Sequence, residues 1–389
     1  MPTPPVFPFR PNWRRPVLER LEWLTDVTEA RDATEDRIQL RSRPRRTLEY
    51  SVLLQGHALG GLDARLWHSQ AREVLVPLWV DVQTCAPVAL GATVLTVETL
   101  GYDFAAGGHA LLMRDAQTWE LLYIDTVEPE GLILSAPTAQ AWPAGTLLYP
   151  VRPGRLPDDV GALRGSAAVG QATVRFELAP GTWTAAAPAT TYRDVEVSLR
   201  RPNWLQGVPH HWQRKTERID YELGAIYVDD LSDLASTRRT HRITLAHRAD
   251  IAAWRSWLYA RAGRRHAFWQ PLWQVDRLVT APVSAADITL QVRALDHAQA
   301  YGQDPGRRDL AIRHRRTGQW VFRRVESASA PLAGVETLTL DAPIGLNAQT
   351  GELFVSWLML SRLDADAVEI AWHSAGAAVS VFDIRSVRE

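Results

Sequence analysis

Residues able to do chemistry are sparse in this chain, and their spacing argues against catalysis. His210-His211 is the best candidate for a metal site. Adjacent histidines on an extended segment point to opposite faces, and no third histidine or carboxylate follows at ligand spacing. The pair therefore reads as a solvated loop after Pro209. Asp158-Asp159 and Asp229-Asp230 come nearest to paired carboxylates for acid–base work or a calcium loop. Neighbouring acids more often form turns or caps, and neither pair has the spaced oxygen ligands that calcium requires. The sequence holds no phosphate-cradling glycine loop, H-E-x-x-H or G-x-S-x-G. Cys85 is the only cysteine, so an internal disulfide and a cysteine cluster for zinc or iron–sulfur are both excluded. No catalytic, cofactor-binding or metal-binding residue is assigned, and the expectation is a protein that is not an enzyme.

The remaining composition points to packing and assembly. A formal charge of −1 gives no bulk field for nucleic acid or anionic membrane. Lys215 is the only lysine; every other basic side chain that is always charged is arginine. A GC-rich genome explains that, and so does planar, bidentate pairing with carboxylates at subunit contacts. Sixteen tryptophans stand out, since indoles dominate cores and interfaces alike. Met1 to Pro8 lacks the basic start and apolar run of a signal peptide, and no stretch reaches the ~18 apolar residues that span a bilayer. Synthesis in the cytosol as a soluble chain is the expectation.

An internal repeat organises the sequence. Pro11-Asn12-Trp13 recurs as Pro202-Asn203-Trp204, an offset of 191 (202 − 11). Arg46-Thr47 precedes one alternating run and Arg239-Thr240 another; Pro77-Leu78-Trp79 returns as Pro271-Leu272-Trp273, followed by Asp81 and Asp276. Ala86-Pro87-Val88 matches Ala281-Pro282-Val283, Trp119 matches Trp320, Arg155-Leu156 matches Arg362-Leu363, and Phe176 matches Phe382. The landmarks keep their order, so two copies of one unit are expected over 1–190 and 191–389, with the Gly181–Thr191 stretch as their joint.

Within a unit, Leu48 to Leu54 alternates with period two and predicts a half-buried strand. Gly60-Gly61 then punctuates the chain before a helix over Leu62 to Arg72, with Leu62, Leu66 and Trp67 on one face. Its counterpart has Asp250 as N-cap and Ile251, Trp254, Trp257 and Leu258 at helical spacing. Short strands broken by Gly, Pro and Asp follow, about 84–151 in one copy and about 279–357 in the other. The fold class expected is mainly β: a tandem duplication of a β-sandwich with one packed helix, each copy carrying an inserted small β-barrel-like subdomain.

Trp13, Trp204, Trp79, Trp273, Trp119 and Trp320 occupy equivalent places, which predicts a core or subunit-contact role common to both copies. Arg41, Arg45 and Arg46, echoed by Arg238 and Arg239, are flanked by acids such as Glu35, Asp36 and Glu49, which predicts pairing with protein carboxylates rather than nucleic acid. Unpaired tryptophans such as Trp142, Trp183, Trp269 and Trp372 are the platforms that an alternative function would use, binding of host-surface polysaccharide through the inserted subdomains. A cell-wall hydrolase, the third reading, would need paired carboxylates in a cleft.

Pro11-Asn12-Trp13, Glu22-Trp23-Leu24-Thr25-Asp26-Val27, Glu35 to Arg41 running into Pro44-Arg45-Arg46, and Val76 to Asp81 together resemble the distal tail or upper baseplate proteins of long-tailed bacteriophages and prophages. The first copy resembles them over about residues 7–160, the second more loosely. The resemblance implies a tail-tube-like β-sandwich, a structural role in the virion at the tail tip, and a homo-oligomeric ring. Its partners would be the tail tube protein, the tape measure protein, and baseplate hub or fibre proteins. Three copies of a two-unit chain present six similar units, so a trimer meets both a six-fold tube and a three-fold hub; a hexamer is the other closed ring considered.

Overall fold

The computed structural model describes residues 4–30, 34–69, 72–231, 235–302 and 305–388. The first three residues of the Met1–Pro8 segment, and positions 70–71 next to the expected helix end, lie outside them.

The described chain is mainly β, with antiparallel strands and three helices. Eight strands build one sheet: β1 Val17–Glu22, β2 Arg45–Gln55, β3 Ala162–Ser166, β4 Val169–Leu178, β5 His210–Gln213, β6 Ser236–Leu245, β7 Ala367–Ser374 and β8 Ala377–Ser386. Their hydrogen-bonded order is β3-β4-β2-β1-β7-β8-β6-β5, antiparallel at every step. Alternation drives the layout. In β2, Arg46, Leu48, Tyr50 and Val52 turn inward, and in β8 Ala378, Ser380, Phe382 and Ile384 do the same. The core beneath is continuous across the chain, with Leu48, Tyr50 and Phe176 in one cluster with Trp254, Trp372 and Phe382.

A helix follows β2 and another follows β6: α1, His57–Ser69, and α2, Arg248–Arg261. α1 begins ahead of Gly60-Gly61, so the glycines lie inside the helix instead of ending the strand before it. Each helical glycine costs about 1 kcal/mol against alanine, which packing of Leu59 and Leu62 offsets. The buried stripe runs through positions 59, 62 and 69, and position 67 lies five residues, about 140°, around the helix from Leu62. Leu59, Leu62 and Ser69 are buried, while Trp67, expected beside Leu62 and Leu66, is 84% exposed. In α2, Ile251, Trp254, Leu258 and Arg261 form the buried stripe. His247 rather than Asp250 is the N-cap; Asp250 sits in the first turn, where a carboxylate suits the helix dipole.

α2 ends in two successive left-handed residues, Ala262 at φ 50° and Gly263 at φ 69°. A Cβ on Gly263 would lie 2.4 Å from Asp366 Oδ1 and 2.9 Å from Trp23 Cβ, so only glycine lets these segments approach.

Between α1 and β3, four short strands pair in the order Val94–Thr96, Gly131–Leu134, Trp119–Glu128, His109–Met113, and then with Leu147–Arg155. Between α2 and β7 the order is Thr289–Arg293, Val335–Leu340, Trp320–Ala328, Asp309–His314, and then Leu353–Leu363. Each set surrounds its own apolar cluster, around Leu112 and Leu132 in one and Leu310 and Leu338 in the other. The long last strands run on to pair with Val74–Pro77 and Phe268–Pro271, which tie the insertions to the main sheet. Both proline-terminated strands also take a parallel bridge on their other side, Val6 to Leu75 and Val197 to Trp269, so neither is an open edge.

Candidate assembly interface

The sheet crosses from one half of the chain to the other between β1 and β7. Val17 lies opposite Trp372, Glu19 opposite Ile370 and Glu22 opposite Ala367. β1 reads Val-Leu-Glu-Arg-Leu-Glu, and strict alternation places Glu19 on the apolar face with Val17 and Leu21, fully buried.

A buried carboxylate persists only with strong partners. Glu19 Oε1 accepts from Arg46 Nε at 2.8 Å, and Oε2 accepts from Arg255 Nη2 at 2.6 Å and Trp372 Nε1 at 3.1 Å. Arg255 also reaches Asp81 Oδ1 at 3.1 Å, and Arg248 pairs with the same carboxylate. Arg46 and Arg152 both pair with Asp103, which accepts from Thr182 N at 2.9 Å as well. Four arginines and three carboxylates thus form one network across the junction. Burial would raise the carboxyls of Asp81 and Asp103, but the arginines outweigh it and hold both below the ordinary carboxylate range. The same balance raises Arg46 and Arg255 despite burial. Such groups keep their charge throughout the physiological range, so the network works as a permanent clamp.

A hairpin, Thr25–Glu29 with Glu35–Gln39, extends the contact. Thr25 donates through N and Oγ1 to Asp366, both at 2.8 Å, and Arg264 Nη2 donates to Thr25 O at 2.6 Å. Glu35 takes a bidentate pair from Arg362 at 2.7 Å, and Glu29 pairs with Arg385 at 2.8 Å. Tyr259 of α2 packs edge-on against Trp23, and Trp183 of the joint lies under the Arg255 guanidinium at 4.8 Å.

The two ends of the sheet lack this cover. All of β3 is exposed, with Leu163 at 75%. At the other end β5 exposes Trp212 at 66%, stacked on His210 at 4.2 Å. A second hairpin, Thr216–Asp220 with Ile226–Asp230, exposes Tyr221, Leu223, Ile226, Tyr227 and Val228. Contiguous exposed apolar groups beside an open strand edge mark a contact surface.

The singled-out side chains divide by environment. Trp79 is buried in the core, and Trp119 packs at its margin. Trp273 and Trp320 are half-buried and meet edge-to-face at 5.7 Å. Trp13 and Trp204 are exposed. Arg46 lies in the network; Arg41 Nη1 donates to Glu22 O at 2.8 Å; Arg45 is exposed. Arg238 pairs with Asp364 at 3.0 Å and Asp383 at 2.6 Å. Arg239 is buried with Nη1 unpaired, and burial with Arg307 nearby lowers its pKa to about 9. Trp142, Trp269 and Trp372 are buried and Trp183 is half-buried, so the named sugar platforms do not face solvent. His210-His211 stands on a strand instead of a loop because it pairs with Arg239 and Arg238 of β6. Sequence reading missed Glu19, Asp103, Arg152, Arg248 and Arg255. An acid at a core position of an alternating strand is the one signal that was there to find.

His241 carries a pH dependence. Burial, with Arg239 adding, pushes it down to about 3, so it is neutral in the fold. The unfolded chain takes up that proton below ~6.5, so stability is full above ~6.5 and falls as pH drops toward the folded pKa. A loss of ~2 kcal/mol by about pH 5 is expected, read by urea unfolding at pH 7 and 5. His241→Gln should shrink the difference by that amount and leave the share of His109, His210, His266 and His297, which burial also holds down; an equal loss in wild type and variant would contradict the assignment.

Among the described residues no helix is long and apolar enough to cross a membrane. No protein-family model and no curated protein matches this sequence.

Proposed function

We propose that this protein is a structural ring component of a phage tail tip or baseplate, joining the tail tube to hub or fibre proteins. One observation carries the reading: the chain joins two halves of matching strand order through β1 and β7, and leaves both outer edges of the same sheet open. A chain built this way can serve as one segment of a larger closed sheet. On this reading residues 1–190 and 191–389 are copies of one sandwich with a helix, and each insertion is a small barrel-like appendage. Three copies give six units, enough to face a six-fold tube on one side and a three-fold hub on the other. Structural and not enzymatic, it acts by geometry alone. Gold-labelled antibody on tailed particles from cells carrying the gene should decorate the distal end of the tail. Label on the capsid, or particles that lack the protein, would overturn the reading.

A further inference from the structure

The open end at β5 presents the parts that the first half joins to the second. Asn203 N donates to Arg242 O as Asn12 N donates to Ser51 O, both at 2.6 Å, so β5 and β6 carry an offset of 191 from β1 and β2, and Arg239 is the counterpart of Leu48 instead of Arg46. His210 then lies opposite Arg239 as Glu19 lies opposite Leu48 (210 − 19, 239 − 48). Ala162 lies opposite Ala172 on β4 as Ile370 lies opposite Ser380 on β8, an offset of 208 in both (370 − 162, 380 − 172). Inside the chain, Glu19 faces Ile370. We infer that the open edges join between copies: β5 of one chain pairs antiparallel with β3 of the next, with His210 opposite Ala162.

The helices support the same occupant. Aligning their buried stripes gives an offset of 192 (251 − 59, 254 − 62, 261 − 69). Asp63 then stands where Arg255 stands, and Trp67 where Tyr259 stands. Arg255 covers Glu19 within the chain; between chains Asp63, which in the single chain makes only an exposed pair with Arg164 at 3.2 Å, covers His210, beside the buried Arg239 whose Nη1 has no acceptor. His210 itself is neutral, held down by burial and by Arg239 and Arg307, so the positive charge that Asp63 would face is the buried Arg239 guanidinium. Tyr259 meets Trp23 within the chain, and Trp67 meets the matching Arg214 (214 − 23 = 191) of its neighbour. The 216–230 hairpin has the 25–39 hairpin's register, Thr216 opposite Asp230 as Thr25 is opposite Gln39, and it lacks the cover the other receives. A second copy is the partner that brings β3 and α1 together in this arrangement. The contact is head-to-tail, so it closes into a ring or extends as a filament according to its rotation.

The inference deepens the ring reading and rests on it. The test is the double variant His210→Cys, Ala162→Cys, oxidised across a range of concentrations, with Cys85 left buried. Directly opposed residues in an antiparallel pair lie ~4.5–5.5 Å apart, within disulfide reach, whereas the two positions stand at opposite ends of one chain's sheet. Intermolecular disulfides ending at one closed species on non-reducing gels are expected. The pair His211→Cys, Ala162→Cys should cross-link several-fold less, because its side chains leave opposite faces. Trp67→Ser, a surface change that spares the fold, should cut the yield of the first pair several-fold. Rings on micrographs without the His210–Ala162 link, or with the slipped link dominant, would overturn the pairing and leave the ring reading standing. A folded chain that stays monomeric at every concentration would overturn both.

Discussion

Glu19→Ala should destabilise the protein by ~3–5 kcal/mol, because it leaves two buried guanidinium groups without their shared acceptor. Arg46 and Arg255 are fully buried, and Trp372 Nε1 loses its partner too. Each remaining donor then bears a desolvation cost with no bond in return. Glu19→Gln keeps the shape and one acceptor oxygen, so its loss should be smaller. The comparison is Glu22→Gln, three residues along the same strand. Its partner Arg20 is exposed at 2.9 Å, and such pairs contribute under ~1 kcal/mol. Urea unfolding reads all three variants. Equal midpoints for the Glu19 and Glu22 variants would show that the network is not holding the junction.

Trp254→Ala should cost ~3–5 kcal/mol, the range for removing a fully buried indole. Trp254 lies stacked on Trp257 at 4.8 Å and 14°, against Phe382 at 5.0 Å, with the Arg200 guanidinium 5.5 Å away. The stacked indole pair also gives coupled near-ultraviolet circular dichroism, which the substitution should abolish. Trp13→Ala removes an exposed indole and should cost within about 0.5 kcal/mol. If Trp13→Ala were the more damaging, the assignment of tryptophans to core and surface would be wrong.

Which parts were legible in the sequence follows from range. Alternation in β2 and helical spacing in α2 are local, and both were readable from residue types alone. That short strands fill the first insertion was readable as well, since Gly, Pro and Asp mark their turns; the order in which they pair was not. The start of α1 was misplaced because Gly60-Gly61 resembles a break, and Trp67 was expected inward although five residues carry it about 140° around the helix from Leu62. The buried network was invisible for a different reason. Its members run from Glu19 to Trp372, and only strand pairing between β1 and β7 brings them together. The arginines were expected to meet carboxylates, yet nothing local says that Arg46 meets Glu19 and Asp103 while Arg41 meets the Glu22 backbone carbonyl and, at 3.9 Å, its carboxylate.

Offsets of 191 and 208 link the β1–β7 register to exposed counterparts on β5 and β3, and they make the central claim concrete: copies join head to tail and the sheet closes on itself. Sedimentation of the purified chain over a wide concentration range, with class averages of the largest species, tests this most directly. Association should approach three times the 43.5 kDa chain mass, with six lobes around a central opening. A monomer throughout, or a two-fold dimer that buries one edge against its own copy, would contradict it.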